Sequence, residues 1–180
     1  HAEELGASFS ENEVAALTKT DGIFTVFMKD GTSVTGKSVI YAAGTSYRRL
    51  EIPGSQLLGV SYCATCDGAF YQNKTVAVVG GGDTALEDAL YLSRMAKQVY
   101  LVHRRDAFRA NASLQKQVAQ TGNIVPILCA VPTEIVGEKH VEALKLLHND
   151  KPEDLQLDGV FVAIGSVPNT ELLRGIAALD

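Results

Sequence analysis

Residues 78 to 89 read VVGGGDTALEDA, and the fold of the chain turns on them. The three glycines follow a short apolar run, Thr75 to Val79. They precede a segment, Asp83 to Ala96, in which Ala85, Leu86, Ala89, Leu90 and Leu92 recur at helical spacing. Val99 to Val102 is again short and apolar, so the stretch predicts strand, tight turn, helix and strand, a βαβ unit. Gly80, Gly82 and Ala85 fit G-x-G-x-x-A. The first glycine permits the tight turn, the second lets a pyrophosphate approach the backbone, and the small third residue lets helix and strand pack closely. N–H groups at the helix start then face the phosphates. The competing reading is a glycine turn with a purely structural role.

Working outward, Asn111 to Gln120 predicts a second helix and Ile124 to Leu128 a third strand, with later strands at Val131 to Val136 and Gly159 to Ile164. His140 to His148 is ambiguous, since its composition favours helix and its place among strands favours strand. Apolar strands alternating with helices predict an α/β fold, a mostly parallel sheet covered by helices. Upstream the pattern differs. Gly22 to Met28 alternates between Asp21-Gly22 and Asp30-Gly31, which reads as strand, turn, strand, and a further strand is expected near Ser38 to Ala42. A domain boundary falls between about Gly44 and Gly59, around the Pro53-Gly54 turn.

Composition narrows the function. The 180 residues carry a net charge of -5 and no long basic run, which argues against a nucleic-acid surface. No apolar run of membrane-spanning length occurs, and His1-Ala-Glu-Glu is not a signal-peptide start. The chain lacks an initiator methionine and begins in what reads as a helix, so a piece of a longer protein is expected.

The end of the second strand of a βαβ unit selects the nucleotide, because an acidic residue there grips an NAD ribose hydroxyl. This chain instead has LVHRRDAFRA. Arg104 and Arg105 present planar, permanently charged forks suited to a 2′-phosphate. Arg109 lies four residues beyond Arg105, within reach if the segment turns helically. NADPH is therefore expected over NADH, against the alternative of a solvated Arg-rich turn.

VSYCATCDGAFY, residues 60 to 71, sets Cys63 and Cys66 three apart with Asp67 adjacent. Zinc would need further ligands, and no second C-x-x-C exists while the histidines are scattered. A disulfide across so small a loop constrains the unfolded chain little, which leaves redox exchange as the leading reading. Asp67 could move protons as thiolates form and leave, or could simply be a turn residue before Gly68. Cys129 sits in an apolar run and is expected to be core.

The ordered set ATCDG, VVGGGDTA, HRRDAFRA and DGVFVAIGSVPNT closely resembles the low-molecular-weight, bacterial-type thioredoxin reductases, across essentially the whole chain. The resemblance implies a cytoplasmic, homodimeric flavoenzyme that passes electrons from NADPH through FAD to a Cys63-Cys66 disulfide and on to thioredoxin. It casts Cys63 as the thiol attacking thioredoxin, Cys66 as the flavin-facing thiol and Asp67 as proton donor and acceptor. It extends the nucleotide set to Gly80, Gly81, Gly82, Asp83, Thr84, Ala85, His103, Arg104, Arg105, Arg109, Ile164 and Gly165. Residues 45–165 then form a Rossmann-like, three-layer NADPH-binding domain. Residues 1–44 and 166–180 are segments of a discontinuous FAD-binding domain, with hinges near Gly44 to Pro53 and Gly165 to Pro168. The family's glycine-rich FAD loop and later Gly-Asp motif do not occur here, so the chain alone is expected to hold no stoichiometric FAD and to be inactive. Ser55 stands where the family commonly has Glu. One alternative is the flavoprotein component of an alkyl hydroperoxide reductase, which favours NADH; another is a non-catalytic NADP-binding module.

Overall fold

The computed structural model describes residues 2–179. In chain order the strands are β1 (Val14–Thr20), β2 (Ile23–Met28), β3 (Ser33–Gly36), β4 (Thr45–Tyr47), β5 (Val60–Ser61), β6 (Thr75–Gly80), β7 (Gln98–Val102), β8 (Ile124–Ile127), β9 (Ala130–Val136), β10 (Ala143–His148), β11 (Lys151–Gln156), β12 (Gly159–Ala163) and β13 (Ser166–Pro168). Three α-helices join them: α1 (Ala64–Asp67), α2 (Asp83–Ser93) and α3 (Ala112–Gln120). The chain divides into two compact units, one of residues 1–46 with 168–180 and one of residues 47–167. No helix among the described residues is long and apolar enough to cross a membrane.

The larger unit is built on a five-stranded sheet in the order β5-β12-β6-β7-β8, every pairing parallel. Its strands alternate their side chains between two cores. Val76, Val78, Val99, Leu101 and Phe161 face Ala85, Leu86, Ala89 and Leu92 of α2 and Val118 of α3. Each fully buried Leu, Val or Phe contributes about 1.5–3 kcal/mol. Ala77, Val79, Val102, Val160 and Val162 face the other way. The expectation of helices on the sheet's faces holds for one face only. On the other, β9, β10 and β11 form an antiparallel meander whose Ile135, Leu144, Leu146 and Leu155 close the second core. The unit thus has three layers: helices, parallel sheet and meander.

That meander settles the ambiguous segment, because Ala143–His148 is strand, paired on both sides to β9 and β11. It also contains a strand that the sequence hides. In Lys151–Gln156 only Leu155 is buried, so β11 carries no apolar alternation.

α2 forms because Ala85, Leu86, Ala89 and Leu92 fall on one face, and all four are buried. α3 starts at Asn111, whose side chain accepts a hydrogen bond from Leu114 N at 3.0 Å.

In the smaller unit β1, β2 and β3 pair antiparallel in order. β1 is a strand that the sequence reading did not name. The strand expected at Ser38 to Ala42 is not formed; Ile40 there is 96% exposed, and the local strands are Ser33–Gly36 and Thr45–Tyr47 instead. An apolar β-branched run becomes strand only where a neighbour supplies a hydrogen-bonding edge. Likewise the N-terminal helical reading reduces to one 3-10 turn, Glu3–Leu5, ended by left-handed Gly6. Asn169 ties this unit together: it donates from Nδ2 to Ala43 O at 3.0 Å, and its own carbonyl accepts from Tyr41 Oη at 2.6 Å.

Candidate functional site

The parallel registry brings the sequence-predicted residues to one edge of the sheet. Ser61 is level with Phe161, Phe161 with Val78 and Val78 with Leu101. Two residues further along each chain come Cys63, Ala163, Gly80 and His103. The cysteine pair, the Ile164-Gly165 turn, the glycine turn and the arginine segment therefore all leave the carboxyl ends of neighbouring strands. Ligands of open parallel sheets bind at this edge. Cys63 and Gly80 are two strand spacings apart, about 10 Å laterally.

At one side of the edge, Cys63 and Cys66 are joined in a disulfide with a Cα–Cα separation of 5.3 Å. Cys63 is the N-cap of the short helix α1, its sulfur accepting from Cys66 N at 3.2 Å, and Asp67 N donates to Cys63 O at 3.2 Å. Cys66 is exposed and Cys63 half-buried. Ser61, only 5% exposed, holds both partners of this arrangement. Its Oγ accepts from Cys63 N at 3.1 Å and donates to Asp67 Oδ2 at 2.7 Å. Ser61 was not legible as a site residue, since a serine at a strand end is ordinary; only its position two residues before Cys63 marks it. Tyr71, further along the same segment, has its phenol pushed above the usual range by burial, with the charges of Asp67 and Asp158 adding to the effect.

At the centre, the glycine turn is constrained on both sides. A Cβ on Gly80 would strike Ala163 O and lie 2.7 Å from Ala85 Cβ, which is why position 85 must be small and position 80 must be glycine. A Cβ on Gly81 would overlap the His103 imidazole. A Cβ on Gly82 would instead meet nothing within 4 Å. Gly82 is also the N-cap of α2, with no side-chain cap, so the first-turn N–H groups near Thr84 and Ala85 have no side chain closing them off. Glycines and uncapped helix start fit a pyrophosphate.

His103 is 7% exposed, and its Nε2 is buried without a hydrogen-bond partner. Burial pushes the imidazole below its usual range; a backbone hydrogen bond at Ala107 opposes this, and the charges of Arg105, Arg109 and Arg104 reinforce it. The neutral ring lies 5.6 Å from the Phe108 ring. The following residues do not turn helically, contrary to the condition placed on Arg109. They form an irregular loop, and Arg109 is placed by its backbone N–H, which donates to Gly81 O at 2.8 Å. Arg104, Arg105 and Arg109 are exposed, and among the described residues none joins the ion pairs, which involve other side chains. Unpaired guanidinium groups beside a phosphate cradle suit a further phosphate.

One expectation needs correction, and two residues of the expected nucleotide set have other partners in the structure. The Asp83 carboxylate accepts from Asn111 N at 2.7 Å. Cys129 is not core: it is partly exposed and has a left-handed backbone with φ of 52°. Gly165 is exposed with φ of 101°, and its carbonyl accepts from Arg48 N at 3.0 Å.

Sheet order, carboxyl-edge cradle and glycine turn define a Rossmann-like dinucleotide fold that carries a disulfide on the same edge. The pyridine nucleotide-disulphide oxidoreductase family matches residues 3–179. The chain belongs to that family. It is 40% identical to a thioredoxin reductase of Streptomyces coelicolor over 99% of this chain and 57% of that protein. It is also 46% identical to a glucosaminate ammonia-lyase of Pseudomonas fluorescens, over 81% of this chain and 48% of that one. Among solved structures, thioredoxin reductase of Lactococcus lactis superposes with a TM-score of 0.87 at 34% identity, covering 97% of this chain and 59% of its own. The chain thus spans about half to three fifths of the length of these relatives.

Proposed function

We propose that this chain is the nucleotide- and disulfide-bearing part of an NADPH-dependent thioredoxin-disulfide reductase. The observation that carries the reading is the shared sheet edge, where a disulfide with a tethered carboxylate stands beside a phosphate cradle and three unpaired arginines. In this reading residues 45–165 are the NADPH-binding domain and residues 1–44 and 166–180 belong to a FAD-binding domain. The protein acts as a cytoplasmic homodimer.

Gly80, Gly81, Gly82, Thr84 and Ala85 would hold the pyrophosphate, and Arg104, Arg105 and Arg109 the 2′-phosphate. Neutral His103 would pack beneath the turn, and Ile164 and Gly165 would border the nucleotide. When bound, NADPH supplies the electron pair, delivered by way of FAD. Among the described residues no second strand, glycine turn and helix occurs, so no FAD contact is assigned to this chain.

The chain's own chemistry is thiol–disulfide exchange. Two electrons and a proton open the Cys63–Cys66 bond. The Cys63 thiolate attacks one sulfur of the thioredoxin disulfide and forms a mixed disulfide. The thiolate that leaves takes a proton, for which Asp67 is the nearest carboxylate in sequence. Cys66 then attacks Cys63 sulfur, closing the original disulfide and releasing dithiol thioredoxin.

The test is NADPH oxidation by the complete protein with FAD, with and without thioredoxin, repeated with NADH. Turnover that requires thioredoxin and favours NADPH is expected. NADH-driven turnover that ignores thioredoxin would instead assign the protein to a flavoprotein serving another disulfide partner, such as an alkyl hydroperoxide reductase. Because one relative bears a different activity, nucleotide oxidation alone does not suffice; thioredoxin dependence is the deciding readout.

A further inference from the structure

Asp83 stands in the first turn of α2, where a bound phosphate would meet an unfavourable negative charge. In the structure that carboxylate is engaged by the start of α3. Asp83 Oδ1 accepts from Asn111 N at 2.7 Å and from Asn111 Nδ2 at 3.2 Å, while Asn111 Oδ1 accepts from Leu114 N at 3.0 Å. Two further anchors hold the preceding loop: the hydrogen bond from Arg109 N to Gly81 O at 2.8 Å, and the His103 ring filling the space beside Gly81. Between these anchors, residues 104–108 belong to no helix or strand. Midway along this loop, Arg105 O accepts from Cys129 N at 2.9 Å, so Arg105 has a backbone anchor of its own while the carboxyl end of the loop, with Arg109, is set by what holds it to the glycine turn and to α3. Of these four anchors, the Asp83 link is the one in which a charged side chain is the acceptor.

We infer that the Asp83–Asn111 link is a positioning device that sets the preference for NADP over NAD by holding the arginine loop against the glycine turn, with neither residue needing to touch the nucleotide. The inference rests on the NADPH reading above. A carboxylate that accepts two hydrogen bonds from the end of the loop restrains its carboxyl half, where Arg109 lies, and complements the Cys129 contact that holds Arg105. Its loss weakens only the nucleotide that uses them.

The experiment is equilibrium titration of the full-length, FAD-loaded protein with NADP+ and with NAD+, alongside its thermal unfolding. Asp83→Ala is expected to weaken NADP+ binding about three- to tenfold, the effect of losing one charge-assisted hydrogen bond, and to leave NAD+ binding unchanged or tighter. Asp83→Asn keeps an oxygen for the Asn111 N–H and restores most of the preference. Asn111→Asp keeps the α3 cap but sets a second carboxylate against Asp83, and lowers the preference as Asp83→Ala does. Equal loss for both nucleotides, tighter NADP+ binding by Asp83→Ala, or failure of Asp83→Asn to restore the ratio would overturn the inference. If the unsubstituted protein shows no preference for NADP+, the NADPH reading itself fails and this inference falls with it. A normal preference that Asp83→Ala and Asn111→Asp leave intact removes this inference alone.

Discussion

At the scale of single residues, Ser61 and Asp67 separate structure from chemistry. Ser61→Ala leaves the Cys63 N–H and one Asp67 oxygen without their partner and should cost about 1–3 kcal/mol, read from urea unfolding of the oxidised protein. Asp67→Asn keeps an acceptor for Ser61, so stability should change little. If Asp67 carries protons in the proposed reductase, thioredoxin reduction by the full-length protein with that substitution should slow by about two orders of magnitude; an unchanged rate would return Asp67 to the role of turn residue. Two other titratable groups predict opposing pH effects. Burial pushes His103 below the ordinary imidazole value of 6.5, so the folded chain binds that proton less readily than the unfolded chain. The stability from neutral His103 is present above 6.5 and is lost as pH falls through its lower folded value. Asp88 behaves inversely. Burial, aided by the neighbouring Glu87 charge, pushes it up to about 6 from 3.8, so its contribution is present below 3.8 and lost as pH rises through about 6. Asp88→Asn should therefore make stability fall more steeply on acidification between pH 6.5 and 4, and His103→Gln less steeply, in denaturation series across that range.

At the scale of elements, the loop between β7 and α3 should decide nucleotide choice. Arg104→Ala together with Arg105→Ala should abolish the preference for NADPH, checked by parallel titration with both nucleotides, while leaving binding through the glycine turn measurable. The elements best read from sequence are those whose signal is local. α2 and β6 were evident because four buried positions recur at helical spacing and the strand is apolar on both faces. β10 stayed ambiguous because its run suits either element until two neighbouring strands pair with it. β11 was invisible because an edge strand with one buried side chain needs no apolar pattern. Ser38 to Ala42 had a strand's composition and no strand to pair with.

At the scale of the molecule, burial is unequal. Among the described residues, every buried apolar side chain lies between Ala64 and Val162, within the larger unit, whereas the smaller unit exposes Leu5, Phe9, Val34 and Ile40 by more than half. Apolar surface of that kind favours association. The chain as given should elute at an apparent mass that rises with concentration, and amides of β1 to β3 should exchange faster than those of β6, β7 and β12. A concentration-independent monomer with uniformly slow exchange would contradict this.

The sequence by itself determined the βαβ core, the glycine turn, the cysteine pair with its aspartate and the arginine segment. These depend on steric and periodic rules acting over a few residues. Tertiary structure alone decided that a meander rather than helices covers the second face, that Ser61 tethers Asp67, and that Asp83 bonds to Asn111. Burial and hydrogen-bond partners depend on which distant segments meet, as for Asp83 and Asn111, 28 residues apart, and local spacing does not specify that meeting.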